Sequence, residues 1–250
     1  MDLGLNDKIT LVTGAGRGIG RAVALSLAAD GAAVVCSDMS GDSATETATE
    51  ITNNGGRAVG IAHDVSSLDQ AKAAVALALD TYGRLDCVAN VAGAWRPGLF
   101  VDSTPDDWQF ELDVDLLGAI NTTRAALDPM IEQDGGKIVN VASDAGRVGE
   151  FRQAVYSGAK AGVIGFSKAV AKEVGRHNVH VNCVAPGFTK TPGTDGMMSE
   201  EQEARIARGY PLRKLGTAEE VAPMIVFLLS NGASHITGQV ISVSGGYSMV

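Results

Sequence analysis

Tyr156-Ser157-Gly158-Ala159-Lys160 sets a phenol and an ammonium four residues apart, which on a helix puts both on one face. A phenol with a pKa near 10 is a poor base at neutral pH. Lowering it by about three units takes roughly 4 kcal/mol, and one ammonium about 4 Å away at an effective dielectric near 20 supplies about that much. By itself such a pair is common by chance and is usually a surface pair. What raises it here is Ser143, thirteen residues earlier at the end of an apolar run, and a glycine loop near the start of the chain.

That loop reads Thr13-Gly14-Ala15-Gly16-Arg17-Gly18-Ile19-Gly20, with Gly14, Gly18 and Gly20 in the spacing T-G-x-x-x-G-x-G. It follows a β-branched run and opens a segment with helical periodicity. Glycines there let the backbone turn sharply and approach a pyrophosphate, which the positive end of the helix attracts. The next apolar run ends in Asp38, 18 residues beyond Gly20. A carboxylate at that place accepts the hydroxyls of an adenosine ribose and repels a 2′-phosphate, so NAD is the expected cofactor. Arg17 can meet a 2′-phosphate, but with Asp38 present it is expected over the adenine or paired elsewhere. Asp64-Val65 is placed to contact the adenine edge, and Asn90-Val91-Ala92-Gly93 supplies a close-packed turn beneath the cofactor. The positive nicotinamide ring would add to the lysine's effect on Tyr156.

These groups must be held by regular elements along the chain. Strand candidates are Lys8–Thr13, Ala33–Ser37, Ala58–Ala62, Leu85–Asn90, Lys137–Ala142, His180–Val184 and Gln239–Val243. Most lack polar alternation, as strands buried on both faces do. Helical periodicity falls at 18–30, 41–54, 67–82, 105–132, 155–176 and 217–230, with starts at Ser66 or Ser67, Thr104-Pro105 and Thr217. Strict alternation of strand and helix predicts an α/β fold: one doubly wound domain over 1–250, with about seven parallel strands and helices on both faces. In that architecture ligands bind at the carboxyl ends of the strands.

Composition agrees. The 250 residues carry 31 glycines, about 12% against a usual ~7%, with no collagen-like period. A net charge of −9 argues against nucleic-acid binding. No apolar stretch approaches the ~20 residues of a membrane helix, and the first residues have no signal pattern. Cys36, Cys87 and Cys183 are sparse and odd in number, which suits reduced core thiols in a cytoplasmic protein. The four histidines show no metal-ligand spacing, so no metal is expected.

Together these residues resemble the short-chain dehydrogenase/reductase family over essentially the whole chain. The matching elements are Thr13–Gly20, Asp64, Asn90–Gly93, Ser143, Tyr156, Lys160 and Pro186-Gly187-Phe188-Thr189-Lys190-Thr191. The resemblance implies that Tyr156 is the general acid/base and that Lys160 holds the nicotinamide ribose and tunes Tyr156. Ser143 would hydrogen-bond the substrate oxygen. Pro186, Gly187, Thr189 and Thr191 would place the nicotinamide carboxamide, and 189–211 would form a substrate lid including Met197 and Met198. The last strand and the fourth and fifth helices would build a homotetramer.

One position departs from the family. Its V-N-L-x-G pattern reads Val114-Asp115-Leu116-Leu117-Gly118 here. The family's asparagine uses mainly its main chain to hold a water that relays protons from the lysine, and Asp115 can still do that. Its carboxylate would also raise the Lys160 pKa and weaken part of the tuning.

The expected activity is NAD-dependent interconversion of a secondary alcohol and a ketone by hydride transfer. The stretches Ser143–Gly149 and Ile236–Gly246 resemble the 2-hydroxycyclohexanecarboxyl-CoA dehydrogenase branch, which implies a cyclic or β-hydroxyacyl-CoA substrate. Arg96, Arg147, Arg152 and Lys190 would gather at the mouth to attract an anionic substrate, or else pair with Asp144, Glu150 and solvent. Trp95 and Trp108 either flank that mouth or pack in the core or an interface. Alternatives are an NADPH-dependent 3-oxoacyl reductase, a dehydrogenase of uncharged cyclic alcohols, and a non-catalytic dinucleotide-binding protein.

Overall fold

The computed structural model describes residues 3–250. The chain begins with strand β1 (Ile9–Thr13), buried along its whole length, and helix α1 (Gly18–Ala29), which buries Gly20, Val23, Ala24 and Leu27 at helical spacing. Next come β2 (Ala33–Asp38), α2 (Gly41–Asn53), β3 (Arg57–Ala62), α3 (Leu68–Tyr82) and β4 (Cys87–Asn90). Ser40 and Ser67 cap α2 and α3 by accepting the N–H groups of Ser43 and Gln70. Helix α4 (Pro105–Leu112) opens with a reciprocal Thr104–Asp107 capping box and Pro105 in its first turn.

The segment 105–132 is not one continuous α-helix. A π-helical turn, Asp113–Leu117, separates α4 from α5 (Gly118–Glu132). Such turns insert an extra residue into the helical ladder and recur at functional sites. This one carries Asp115. It ends where Gly118 packs on α3's entry loop, since a Cβ at 118 would stand 2.6 Å from Val65 Cγ2.

Then follow β5 (Gly136–Val141), the short α6 (Ala145–Val148), α7 (Ala154–Val174), β6 (Val179–Pro186) and β7 (Thr189–Lys190). The remaining elements are α8 (Glu200–Ala207), β8 (Gly216–Thr217), α9 (Ala218–Leu229) and β9 (Val240–Val243). Sequence periodicity did not resolve α6, α8 or the β7–β8 pair, because each is too short to show a period.

Seven strands form one parallel sheet in the order β3-β2-β1-β4-β5-β6-β9. Val12, Val34, Cys36, Ala89 and Val139 face α1, α2 and α9, whereas Leu11, Val35, Val88, Ile138 and Val181 face α3, α5 and α7. Full burial of a leucine such as Leu11 or Leu27 contributes about 1.5–3 kcal/mol. The chain reverses its winding direction between β1 and β4, which opens a crevice at their carboxyl ends. Thr13 ties that crevice together: its Oγ1 accepts the N–H groups of Val91 at 3.0 Å and Ala92 at 3.1 Å.

Candidate active site

Three elements converge on Lys160. It lies on α7, one turn after Tyr156, and is 3% exposed. Its Nζ donates to the Val141 carbonyl at the end of β5 (3.0 Å) and pairs with Asp115 Oδ1 of the π-helical turn (3.0 Å). Asp115 is equally buried; its Oδ1 also accepts the Ala94 N–H at 3.3 Å, while its Oδ2 has no hydrogen-bond partner. Gly93 leaves room for this pair, because a Cβ there would stand 2.8 Å from Asp115 Oδ1 and 3.3 Å from Lys160 Nζ. Gly146 of α6 likewise lets that turn press against α7, with the Lys160 carbonyl carbon 2.6 Å from where a Cβ would be.

Tyr156 is half-buried. Lys160 Nζ stands 5.7 Å from its ring centre, Ser143 hydrogen-bonds its hydroxyl, and the centre of the Trp95 ring lies 6.0 Å away. Ser143 Oγ also accepts the Ala145 N–H at 3.1 Å, which fixes the hydroxyl at the head of α6. The phenol is raised above its ordinary value, not lowered as the pair alone suggests. Burial is the main cause; Lys160 and Ser143 pull it down, while Asp115 and Glu111 push it up. Burial opposes the charge on Lys160, yet Asp115 and Tyr156 outweigh it and raise that ammonium. Burial raises the Asp115 carboxyl despite the lysine beside it.

Glu111 escaped the sequence reading, since an isolated acid on a helix carries no pattern. It is buried, and its Oε1 accepts the Arg96 N–H at 2.7 Å.

The glycine loop lies beside these groups in the crevice. Gly14 and Gly18 have φ of +66° and +54°, which side-chain-bearing residues rarely adopt. A Cβ at Gly14 would stand 2.9 Å from Ala92 Cα, which brings the loop after β1 onto the loop after β4. Arg17, the residue before α1, gives no side-chain cap, so the first N–H groups of the helix, at Gly18 and Ile19, are left without one. These donors fit a dinucleotide's pyrophosphate. Arg17 itself is exposed and makes no ion pair among the described residues. Asp38 Oδ2 accepts the Gly16 N–H at 3.0 Å and its Oδ1 accepts the Ser40 N–H at 3.1 Å.

Asp64 turns its carboxylate onto Ser66, accepting the backbone N–H at 2.9 Å and the hydroxyl at 2.7 Å. Val65 is buried, and its carbonyl accepts the Asn121 side chain at 3.0 Å. The Asn90 side chain points into the core, donating to Asn140 Oδ1 at 2.7 Å and Thr123 Oγ1 at 3.2 Å. It therefore braces the loop from below, and Ala92 and Gly93 form the surface of that turn. Across the crevice, Pro186 ends β6, the Gly187 N–H donates to Val243, and Thr189 Oγ1 donates to the Gly187 carbonyl at 3.0 Å. Thr191 reaches the glycine loop: a Cβ at Gly18 would stand 3.2 Å from Thr191 Cβ.

A cavity borders the site. Arg96, Phe100, Trp108, Glu111, Arg152 and Val155 are among its lining residues, and Phe100 stacks on Trp108 with ring centres 5.5 Å apart. Of the two arrangements expected for the basic residues, a free cluster or pairing with acids, three of the four are paired among the described residues. Arg96 pairs with Asp107 (2.8 Å), Arg147 with Asp144 (3.3 Å) and Lys190 with Glu203 (2.7 Å). The acids come from α4, from the residue before α6 and from α8. Arg152 alone of the four makes no ion pair among the described residues. Glu150 instead accepts the Tyr247 hydroxyl. Met197 and Met198 lie between β7 and α8, Met197 about half exposed.

Comparison with known proteins agrees with this geometry. Residues 14–248 match the family model described as enoyl-(acyl carrier protein) reductase. A 3-oxoacyl-[acyl-carrier-protein] reductase of Thermotoga maritima is 40% identical over 242 residues, covering 97% of this chain and 98% of that protein. A (2S)-[(R)-hydroxy(phenyl)methyl]succinyl-CoA dehydrogenase subunit of Thauera aromatica is 36% identical over 247 residues, covering 99% of each. Among solved structures, one from Sinorhizobium meliloti 1021, provisionally assigned as a short-chain alcohol dehydrogenase, superposes with a TM-score of 0.94 at 33% identity, covering 99% of this chain and 98% of that one. With Ser143, Tyr156 and Lys160 gathered at the crevice of a seven-stranded parallel sheet, the chain belongs to the short-chain dehydrogenase/reductase family of oxidoreductases, which bind a nicotinamide dinucleotide.

Proposed function

We propose that this oxidoreductase is NAD-dependent and interconverts a secondary alcohol and a ketone carried β to a thioester. The observation that carries the reading is the meeting of Ser143, Tyr156 and Lys160 beside the cavity of Phe100, Trp108 and Arg152. The bound dinucleotide supplies hydride exchange at the nicotinamide ring. Gly14, Gly18, Ile19 and Arg17 would hold its pyrophosphate and adenine side. Asp38 would take the ribose, Asp64 and Val65 the adenine edge, Ala92 and Gly93 the floor, and Pro186, Gly187, Thr189 and Thr191 the carboxamide. Asn90 supports that floor through its buried side chain.

Ser143 orients the substrate oxygen, and Tyr156 takes the hydroxyl proton in oxidation or returns it in reduction. Lys160 would hold the nicotinamide ribose, and Asp115 holds Lys160. Support for NAD comes from Asp38, whose carboxylate stands at the end of β2 beside Gly16 and would repel a 2′-phosphate. Support for a thioester comes from the two acyl-thioester names among the relatives and from Arg152 at the aromatic cavity. The segment 189–211 would act as the lid, with α8 and the methionines covering the substrate.

The same reading includes a homotetramer in the cytoplasm. Phe100, Val101, Phe151, Met249 and Val250 are all more than half exposed, which suits burial against sister subunits. The three cysteines are free and buried, and no helix among the described residues is long and apolar enough to cross a membrane.

A second reading, an NADPH-dependent 3-oxoacyl reductase, is favoured by the unpaired Arg17 in the glycine loop and by the Thermotoga relative. The deciding measurement is kcat/KM for a cyclic or linear β-hydroxyacyl-CoA, its free acid and the bare alcohol, each with NAD and with NADP. The thioester and NAD are expected to lead. A lead for the bare alcohol removes the thioester assignment, and a lead for NADP removes the NAD assignment.

A further inference from the structure

We propose that Asp115 is a positioning residue that partly withholds the Lys160 charge from Tyr156, so that alcohol oxidation works at more alkaline pH than with asparagine in its place. This inference rests on the reading of Tyr156 as the acid/base group. Its basis is the geometry of that contact: Lys160 Nζ and Asp115 Oδ1 are 3.0 Å apart, with side-chain exposures of 4% and 0%. In so little water neither charge is screened, and the field at Tyr156 is that of a pair, not of a free ammonium.

The groups facing Tyr156 are few. Lys160 shares its helix, Ser143 approaches from the loop after β5, Asp115 from the π-helical turn, and Glu111 from α4. Cys183 of β6 faces Lys160 from below, and burial keeps that thiol protonated, pushed up to about 11. Hence one cation and two carboxylates act on the phenol. The cation keeps its hold without Asp115, because the Val141 carbonyl still accepts from Nζ at 3.0 Å. Replacing the carboxylate by an amide of the same shape therefore removes a negative charge and leaves the positive one. The orphaned Asp115 Oδ2 supports the point: this oxygen forms no hydrogen bond that the fold would lose.

Two measurements test this. The first is the pH profile of kcat/KM for oxidation in the wild type and in Asp115→Asn. The acid limb should move down by about one pH unit, which raises the rate below the limb about tenfold. The second is the tyrosinate absorbance of the full chain without added dinucleotide, with Tyr156→Phe subtracted, where the same downward movement is expected. A limb and a titration that stay in place reduce Asp115 to a structural group and overturn the proposal. Upward movement means that Lys160 lost its proton and overturns it as well. Should Asp115→Asn not fold, Asp115→Ser removes the same charge in less volume and is read in the same way. Wild-type turnover by Tyr156→Phe would sink the acid/base reading, while the tyrosinate titration still reports on Asp115.

Discussion

Asp38 Oδ2 accepts the Gly16 N–H at 3.0 Å, so the end of β2 is tied to the middle of the glycine loop. A Cβ at Gly16 would stand 2.9 Å from that same oxygen, which leaves a side chain at 16 no room. The carboxylate is thereby fixed beside the glycine loop, where the proposed reading has it take the adenosine ribose. NAD should exceed NADP by at least tenfold in kcat/KM, about 1.4 kcal/mol. In Asp38→Ala that ratio should narrow, and kinetics with both dinucleotides at equal low concentration will show it.

Tyr156→Phe keeps the ring that packs 6.0 Å from Trp95 and removes only the hydroxyl. Turnover should fall by about 10²- to 10⁴-fold. NADH binding, followed by fluorescence, should persist.

Gly20 lies in the first turn of α1, and a Cβ there would overlap the Gly14 carbonyl. Gly20→Ala should cost about 1–3 kcal/mol by forcing the loop outward. That corresponds to a fall in Tm of roughly 2–12 °C, and calorimetry is the check. Dinucleotide binding should weaken in the same variant.

Arg152 holds a left-handed backbone (φ +65°), and its carbonyl accepts the Gly98 N–H at 2.9 Å across the cavity rim. Arg152→Ala should raise KM for an acyl-CoA about five- to twentyfold at low salt, and by much less at high salt. Steady-state kinetics at two ionic strengths would reveal the difference, and an equal effect on a neutral alcohol would count against the role.

His63 is 2% exposed, and burial lowers its pKa to about 4 from 6.5. The unfolded chain takes up this proton below 6.5, whereas the folded chain does so only near 4. Stability from this group is therefore complete above pH 6.5 and is lost as pH falls towards 4, to the extent of about 3 kcal/mol. Urea denaturation at pH 7.5, 5.5 and 4.5 should show this loss in the wild type, and His63→Gln should show a smaller one.

Local chemistry alone carried the strands, most of the helices and the two motifs. Runs such as Val34-Val35-Cys36 announce buried strands because a short, unbroken apolar run is visible among neighbours in the chain. The four-residue spacing of Tyr156 and Lys160 and the glycines at 14 and 18 are equally local, and the structure has them in one crevice. Partners far apart in the chain were decided only by the tertiary structure. Asp115 of the π-helical turn lies 3.0 Å from Lys160 of α7, and Arg96 of the loop after β4 pairs with Asp107 of α4. The sign of the Tyr156 shift belongs to the same class. Spacing shows the ammonium that lowers the phenol, whereas the burial and the two carboxylates that raise it come from elements brought together by folding. Coulomb energy depends on distance through space and on the water excluded between charges, and neither is written along the chain.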